Sequence, residues 1–247
     1  MRLISLVLTA ALALALSACA TAPRNPIATW VPSENFDVRR PVVIVLHFTE
    51  QDSVQQSLDT LRSQNSGGRV SSHYLIGDDG HIYQLVSDRD RAWHAGAGRW
   101  GTITDLNSAS IGIEIDNDGR EPYTEAQVTA LLKLLDDLTT RLRIPKSQVI
   151  GHSDLAPTRK VDPGPHFPWK RLSDAGYGRW PQRALSDPPP GFDGWMAMAM
   201  LGYSPIDRAA VLRAFRMHFR GRDDGAELVP ELDAEDLRIL HALTQSQ

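Results

Sequence analysis

The sequence predicts an α/β (α+β) fold: a mixed central β-sheet flanked by helices, followed by a small three-helix C-terminal domain. Three observations carry this expectation. Apolar strand-like runs alternate with amphipathic helical segments between residues 42 and 150. Two of those runs, Val70–Ile76 and His81–Val86, are joined by Gly77-Asp78-Asp79-Gly80, a hairpin signal, so the sheet is not purely parallel. Beyond a Pro-rich stretch the pattern turns wholly helical.

The elements follow in order. Val42–Leu46 is a continuous β-branched and aliphatic run behind Pro41, which reads as a buried strand, with His47 at its end. Ser53 and Gln56 have capping-box spacing, and Val54, Leu58 and Leu61 share one helical face. Asn65-Ser66-Gly67-Gly68 stops that helix. In Ile111–Asp116 apolar and other residues alternate. The three isoleucines face one way, and Gly112, Glu114 and Asp116 face the other. Thr124 and Gln127 cap a long helix whose stripe is Val128, Leu131, Leu132, Leu135, Leu138 and Leu142, ending before Pro145. Gln148–Ile150 is a short strand leading to Gly151-His152. In the C-terminal part, helices are expected over Asp193–Leu201, over Ile206–Phe219 behind a Ser204-Pro205 cap, and from Asp233 through Leu243.

Residues 1–18 read as a secretory signal: Arg2 precedes an apolar run too short to span a bilayer. Leu16-Ser17-Ala18-Cys19 resembles the bacterial lipobox, which implies that Cys19 is lipidated and anchors the protein to a membrane. Ala20, rather than Asp, follows that cysteine, and the resemblance then implies an outer-membrane lipoprotein facing the periplasm. The organisation read from the chain is a lipidated tether over 19–34, a first domain over 35–180, a linker over 181–190 and a helical domain over 191–247. Cys19 is the only cysteine, so a metal site must be built from histidine and carboxylate. The net charge of −4 argues against a nucleic-acid partner.

His47, His152 and Asp162 are the candidate metal ligands. A hydrolytic Zn²⁺ takes three protein ligands and keeps a fourth position open, and a His/His/Asp set supplies donors of suitable hardness. Glu114 shares a strand face with Gly112, whose missing side chain leaves room. Beside a metal its carboxylate is placed to act as general base; otherwise it is a surface residue of a half-exposed strand. Asp162 precedes Pro163, which favours an extended chain, so Lys160 and Asp162 point the same way. An ammonium there either meets a substrate oxygen that becomes negative or is merely solvated. Among the other histidines, His73 reads as a packed or pocket residue. His94, beside Trp93 in a Gly-rich loop, reads as a substrate contact or a structural group. His81 reads as solvated, His166 as restricted by Pro165 and Pro168, and His218 and His241 as surface residues of the helical part.

These residues sit in segments that resemble a known family. They are Val45-Leu46-His47-Phe48-Thr49, Ser71–Ile76, Arg91–Gly96, Ser110–Ile115 and Gly151–Pro165, which together look like the zinc N-acetylmuramoyl-L-alanine amidases, in particular their outer-membrane lipoprotein branch. The ordered match over 35 to 169 makes the resemblance specific. It implies Zn²⁺ on His47, His152 and Asp162, Glu114 as catalytic carboxylate and Lys160 as stabiliser of the transition state. His73, Trp93, His94 and Arg159 form the expected substrate-binding set. Some relatives place a tyrosine just before the second-strand histidine; here that residue is Ser72. The C-terminal segments resemble a small peptidoglycan-binding module. The expected partner is peptidoglycan (muropeptides), the expected state a monomer. Two other functions fit the same sequence: a wall-binding lipoprotein tether that cuts nothing, and a zinc peptidase acting within the stem peptide.

Overall fold

A computed structural model describes residues 25–38, 41–65, 68–226 and 228–245. The signal segment, Cys19 and the first part of the tether lie outside the described residues. Ten strands are present among them: β1 (Thr29–Trp30), β2 (Phe36–Val38), β3 (Val43–Phe48), β4 (Gln64–Asn65), β5 (Gly68–Arg69), β6 (Tyr74–Ile76), β7 (Ile82–Gln84), β8 (Asp90–Ala92), β9 (Ser110–Ile115) and β10 (Val149–Gly151). The helices are α1 (Val54–Arg62), α2 (Leu106–Ala109), α3 (Glu125–Leu142), α4 (His152–Leu155), α5 (Trp169–Asp174), α6 (Gly194–Leu201), α7 (Arg208–Arg220) and α8 (Ala234–Thr244).

Six strands form one sheet in the order β1-β7-β6-β9-β3-β10. The β6–β7 hairpin is antiparallel and the other pairs are parallel, so the sheet is mixed as predicted. Register fixes the site. Val45 pairs with Gly112 and His47 with Glu114, while Gly151 pairs with Leu46 on the other side of β3. Neighbouring strand ends therefore carry His47, Glu114 and, one residue past β10, His152.

The two sheet faces are covered differently. Ile44, Leu46, Ile111, Ile113 and Ile115 pack against Val128, Leu131, Leu134, Leu135 and Leu138 of α3. At roughly 2 kcal/mol for each fully buried aliphatic side chain, this layer is a main source of stability. Thr124 and Gln127 make the full reciprocal capping box at its start, as predicted. The opposite face presents Val43, Val45 and then His47. Val43, Val45, Ile150 and Leu155 share one apolar cluster with Met198, Leu201, Val211, Leu212 and Phe215 of α6 and α7. Farther along that face, α1 covers Leu75 with Leu58 and Leu61. Between these two covers the strand ends stay open as a cleft.

Several boundaries differ from the sequence reading. β6 begins at Tyr74, not Val70, so His73 precedes the strand rather than sitting within it. Gln56 bonds the Asp52 N–H instead of the Ser53 N–H, so the first box is only half made. Asp207, not Ser204, caps α7: its carboxylate accepts from the Ala210 N–H at 3.0 Å, and Ser204-Pro205-Ile206 is a turn before it. No helix among the described residues is long and apolar enough to cross a membrane.

Candidate metal centre and active-site cleft

His47, His152 and Asp162 converge, all three buried, with donor atoms within 4.8 Å of one another. His47 Nδ1 lies 2.9 Å, and His152 Nδ1 3.0 Å, from the same oxygen, Asp162 Oδ2. The two imidazoles meet edge to face, with centroids 4.4 Å apart. Three segments distant in sequence are joined there: the end of β3, the start of α4, and the loop before the cis Asp162-Pro163 bond. The Ser153 N–H donates to the Asp162 carbonyl at 2.8 Å and holds two of them together.

The hydrogen-bond network assigns the tautomers. His152 Nε2 faces the Ala95 carbonyl at 2.9 Å, and a carbonyl only accepts, so the proton is on Nε2 and Nδ1 is bare. The second ring follows through a relay. Ser110 Oγ donates to the Leu106 carbonyl, so it accepts from His94 Nε2 at 3.2 Å. His94 Nδ1 therefore accepts, at 3.0 Å, from His47 Nε2, and His47 Nδ1 is bare as well. Two imidazole lone pairs then point at a carboxylate oxygen about 3 Å away. With both rings neutral that arrangement is repulsive unless a cation lies among them, and two nitrogens and a carboxylate oxygen are a donor set that fits a divalent metal.

Protonation agrees. Burial first, and then the neighbouring His152, bring the His47 imidazole down to about 4 against the pull of Asp162, so the ring is neutral at physiological pH. Burial raises the Asp162 carboxyl; protonated rings at His152 and His47 would hold it well below the usual range, and with neutral rings that role falls to a bound cation. Glu114 behaves oppositely. Burial, and then the negative charge of Asp162, push it well above its ordinary 4.5, with Lys160 opposing. Two carboxyl groups with opposite proton preferences thus share one cleft.

The cleft has a volume of about 260 Å³, and His47, Glu114, His152, Lys160 and Asp162 line it together. Trp93, His94 and Arg159 also line it; His73 does not. The expectation that His73 contacts substrate is therefore corrected. The ring is fully buried, Nδ1 accepts the Gly112 N–H at 3.0 Å, and Nε2 donates to the Asp90 carbonyl. His94 is only 9% exposed and acts mainly as the outer partner of His47. Arg159 donates to the Ala95 and Ala97 carbonyls, and so shares with His152 the oxygen that orients its ring. His166 is exposed and does not compete as a ligand.

Four features escape the sequence reading. A Cβ on Gly112 would lie 2.4 Å from the His94 ring, so this glycine leaves space for the relay histidine. Tyr123 donates to the Pro163 carbonyl at 2.8 Å, and burial plus the charges of Asp162 and Glu114 raise its phenol well above 10. Ser72, at the position where some relatives carry tyrosine, is fully buried with no partner for its hydroxyl. His218, read as a surface residue, is buried against Asp154.

Residues 37–165 match the family described as N-acetylmuramoyl-L-alanine amidase. Over 235 residues, 82% of this chain and 82% of the relative, the sequence is 36% identical to N-acetylmuramoyl-L-alanine amidase AmiD of Escherichia coli K12. The structure of E. coli AmiD in complex with the substrate anhydro-N-acetylmuramic acid-L-Ala-D-gamma-Glu-L-Lys superposes with a TM-score of 0.71 at 33% identity, over 91% of this chain and 93% of that one. AmpDh3 of Pseudomonas aeruginosa, in complex with an anhydromuramic pentapeptide, gives a TM-score of 0.72 at 33% identity over 92% and 96%.

Proposed function

The chain belongs to the N-acetylmuramoyl-L-alanine amidase family, and on that premise we propose that it is a zinc hydrolase of peptidoglycan fragments. The bond cut is the amide between the lactyl group of N-acetylmuramic acid and L-alanine. The observation that carries the reading is the pair of bare Nδ1 atoms aimed at one carboxylate oxygen, in a cleft that also holds Glu114 and Lys160. His47, His152 and Asp162 would hold the ion; nitrogen and oxygen donors of this kind, three in number, suit a catalytic zinc. When bound, zinc supplies Lewis-acid activation of water and of the scissile carbonyl.

The chain's own groups do the rest. Glu114 takes a proton from the attacking water as its oxygen adds to the carbonyl carbon. It returns that proton to the L-alanine nitrogen as the C–N bond breaks. Its raised proton affinity suits both transfers, because the same carboxyl can take the proton as a base and hold it for delivery as an acid. Lys160 lines the same cleft, and its ammonium is the group that would meet the carbonyl oxygen as it becomes negative; one such donor typically contributes about 3 kcal/mol to the barrier reduction. His94 accepts from the His47 ring, Arg159 holds the Ala95 carbonyl that orients His152, and Trp93 lines the cleft as a wall for substrate.

The anhydromuramyl ligands of the two relatives support small muropeptides as the substrate class. Sequence features support the location: cleavage after residue 18, lipid on Cys19, and attachment to the outer membrane facing the periplasm. The C-terminal helices, by their resemblance, are taken to dock on the wall. A digest tests the activity. Zinc-loaded protein is incubated with purified muropeptides, and the products are identified by mass spectrometry. Free sugar plus an intact stem peptide with a new L-alanine amine is the expected result. Fragments cut inside the stem would indicate a peptidase, and bound but uncut substrate a tether.

A further inference from the structure

Asp154 lies two residues after His152 and takes no part in the chemistry above. Its side chain is 1% exposed, and it accepts three hydrogen bonds. The Gly151 N–H reaches Oδ2 at 2.7 Å and His218 Nδ1 reaches the same oxygen at 2.8 Å. The Tyr203 hydroxyl reaches Oδ1 at 2.7 Å. The first donor belongs to the strand end that carries His152. The other two come from the C-terminal helical segment, about fifty residues away along the chain or more.

Each donor is held in turn. The His218 ring stacks on Trp169 at 3.8 Å, with planes 9° apart, and on Phe219 at 4.2 Å. Its Nε2 is buried without a hydrogen-bond partner, so its donor proton is on Nδ1. Tyr203 meets Trp100 edge to face at 5.2 Å, and the neighbouring Gly202 carbonyl accepts from the Gly101 N–H at 2.7 Å. The element being held is a single helical turn, α4, which is too short to be stable alone. Ligand geometry tolerates errors of only about 0.5 Å and 10–20°. A one-turn helix therefore needs outside support to aim an imidazole that well.

We propose that Tyr203 and His218 are positioning residues of the metal centre, acting through Asp154 on His152, so that the C-terminal helices complete the site. The inference rests on the reading of His152 as a metal ligand. It deepens that reading, because it assigns the helical segment a role in the hydrolytic centre itself.

The test uses the full chain. Tyr203→Phe removes one hydroxyl. His218→Phe keeps the stacking and removes the donor, whereas His218→Asn keeps a donor near the Nδ1 position. Zinc affinity is measured by competition with a chromophoric chelator, kcat and KM on a muropeptide, and folding by circular dichroism. The double variant Tyr203→Phe/His218→Phe is expected to bind zinc about ten-fold or more weaker. Its kcat falls while KM stays within about two-fold, and His218→Asn restores most of the loss. Folded variants with zinc affinity and kcat within about two-fold of the parent would overturn the proposal and reduce the cluster to packing between segments. Should the double variant not fold, Tyr203→Phe alone decides by the same readings. A parent chain that holds no zinc would overturn the hydrolase reading and this proposal with it; a zinc-holding parent with unaltered variants would overturn this proposal alone.

Discussion

Gly112 links the backbone pattern to the metal centre. It pairs with Val45 on the site face, and the space its side chain would fill is taken by the His94 ring. Gly112→Ala should push that ring away from His47 Nε2. Overpacking of this kind costs about 1–3 kcal/mol, so thermal stability and zinc affinity should fall together. Unchanged zinc affinity in a folded Gly112→Ala protein would remove His94 from the relay. At this scale the sequence was partly legible. Alternation over Ile111–Asp116 places Glu114 opposite the isoleucine layer, and the register bears that out. The partners of His73, His94 and His218 were not legible, because each is supplied by a segment far away in the chain. A histidine in a loop gives no sign of whether its surroundings are solvent, substrate or another ring.

Among the elements, caps with local spacing were readable and competing caps were not. Thr124/Gln127 has only one possible helix to serve. Before α7, Ser204 and Asp207 compete, and the structure chooses the carboxylate, which accepts the N–H three residues on. The last helix shows how a cap can also bear charge. Asp233 accepts from the Asp236 N–H and meets Arg220 at 2.7 Å. Burial raises the Asp233 carboxyl, but Arg220, the Asp236 N–H and Arg216 outweigh it and bring the group down to about 2 from its ordinary 3.8. The folded state then holds fewer protons than the unfolded state between those values, so stability there rises with pH. The contribution is complete above 3.8 and vanishes as pH falls through about 2. Asn is itself a good cap, so Asp233→Asn should lower the thermal midpoint near neutral pH, with the gap to the parent closing toward pH 2. Melting curves across that range check it; a gap independent of pH would contradict the charge argument.

For the whole molecule, topology does what no local pattern foretells. Parallel pairing of β9, β3 and β10 aligns three strand ends, and the loop after α4 folds back to add Asp162 beside them. The mixed sheet was readable from alternating runs and one hairpin. The shared core between β3, β10 and the C-terminal helices was not, because an apolar stripe shows that a face is buried but not what buries it. The central claim is that His47, His152 and Asp162 hold one zinc ion while Glu114 stands beside it as a proton carrier. Elemental analysis of purified parent, His152→Ala and Glu114→Gln proteins tests it most directly. Near-stoichiometric zinc in the parent and in Glu114→Gln, with zinc lost from His152→Ala, is the predicted result. Zinc retained in His152→Ala, or lost from Glu114→Gln, would contradict it.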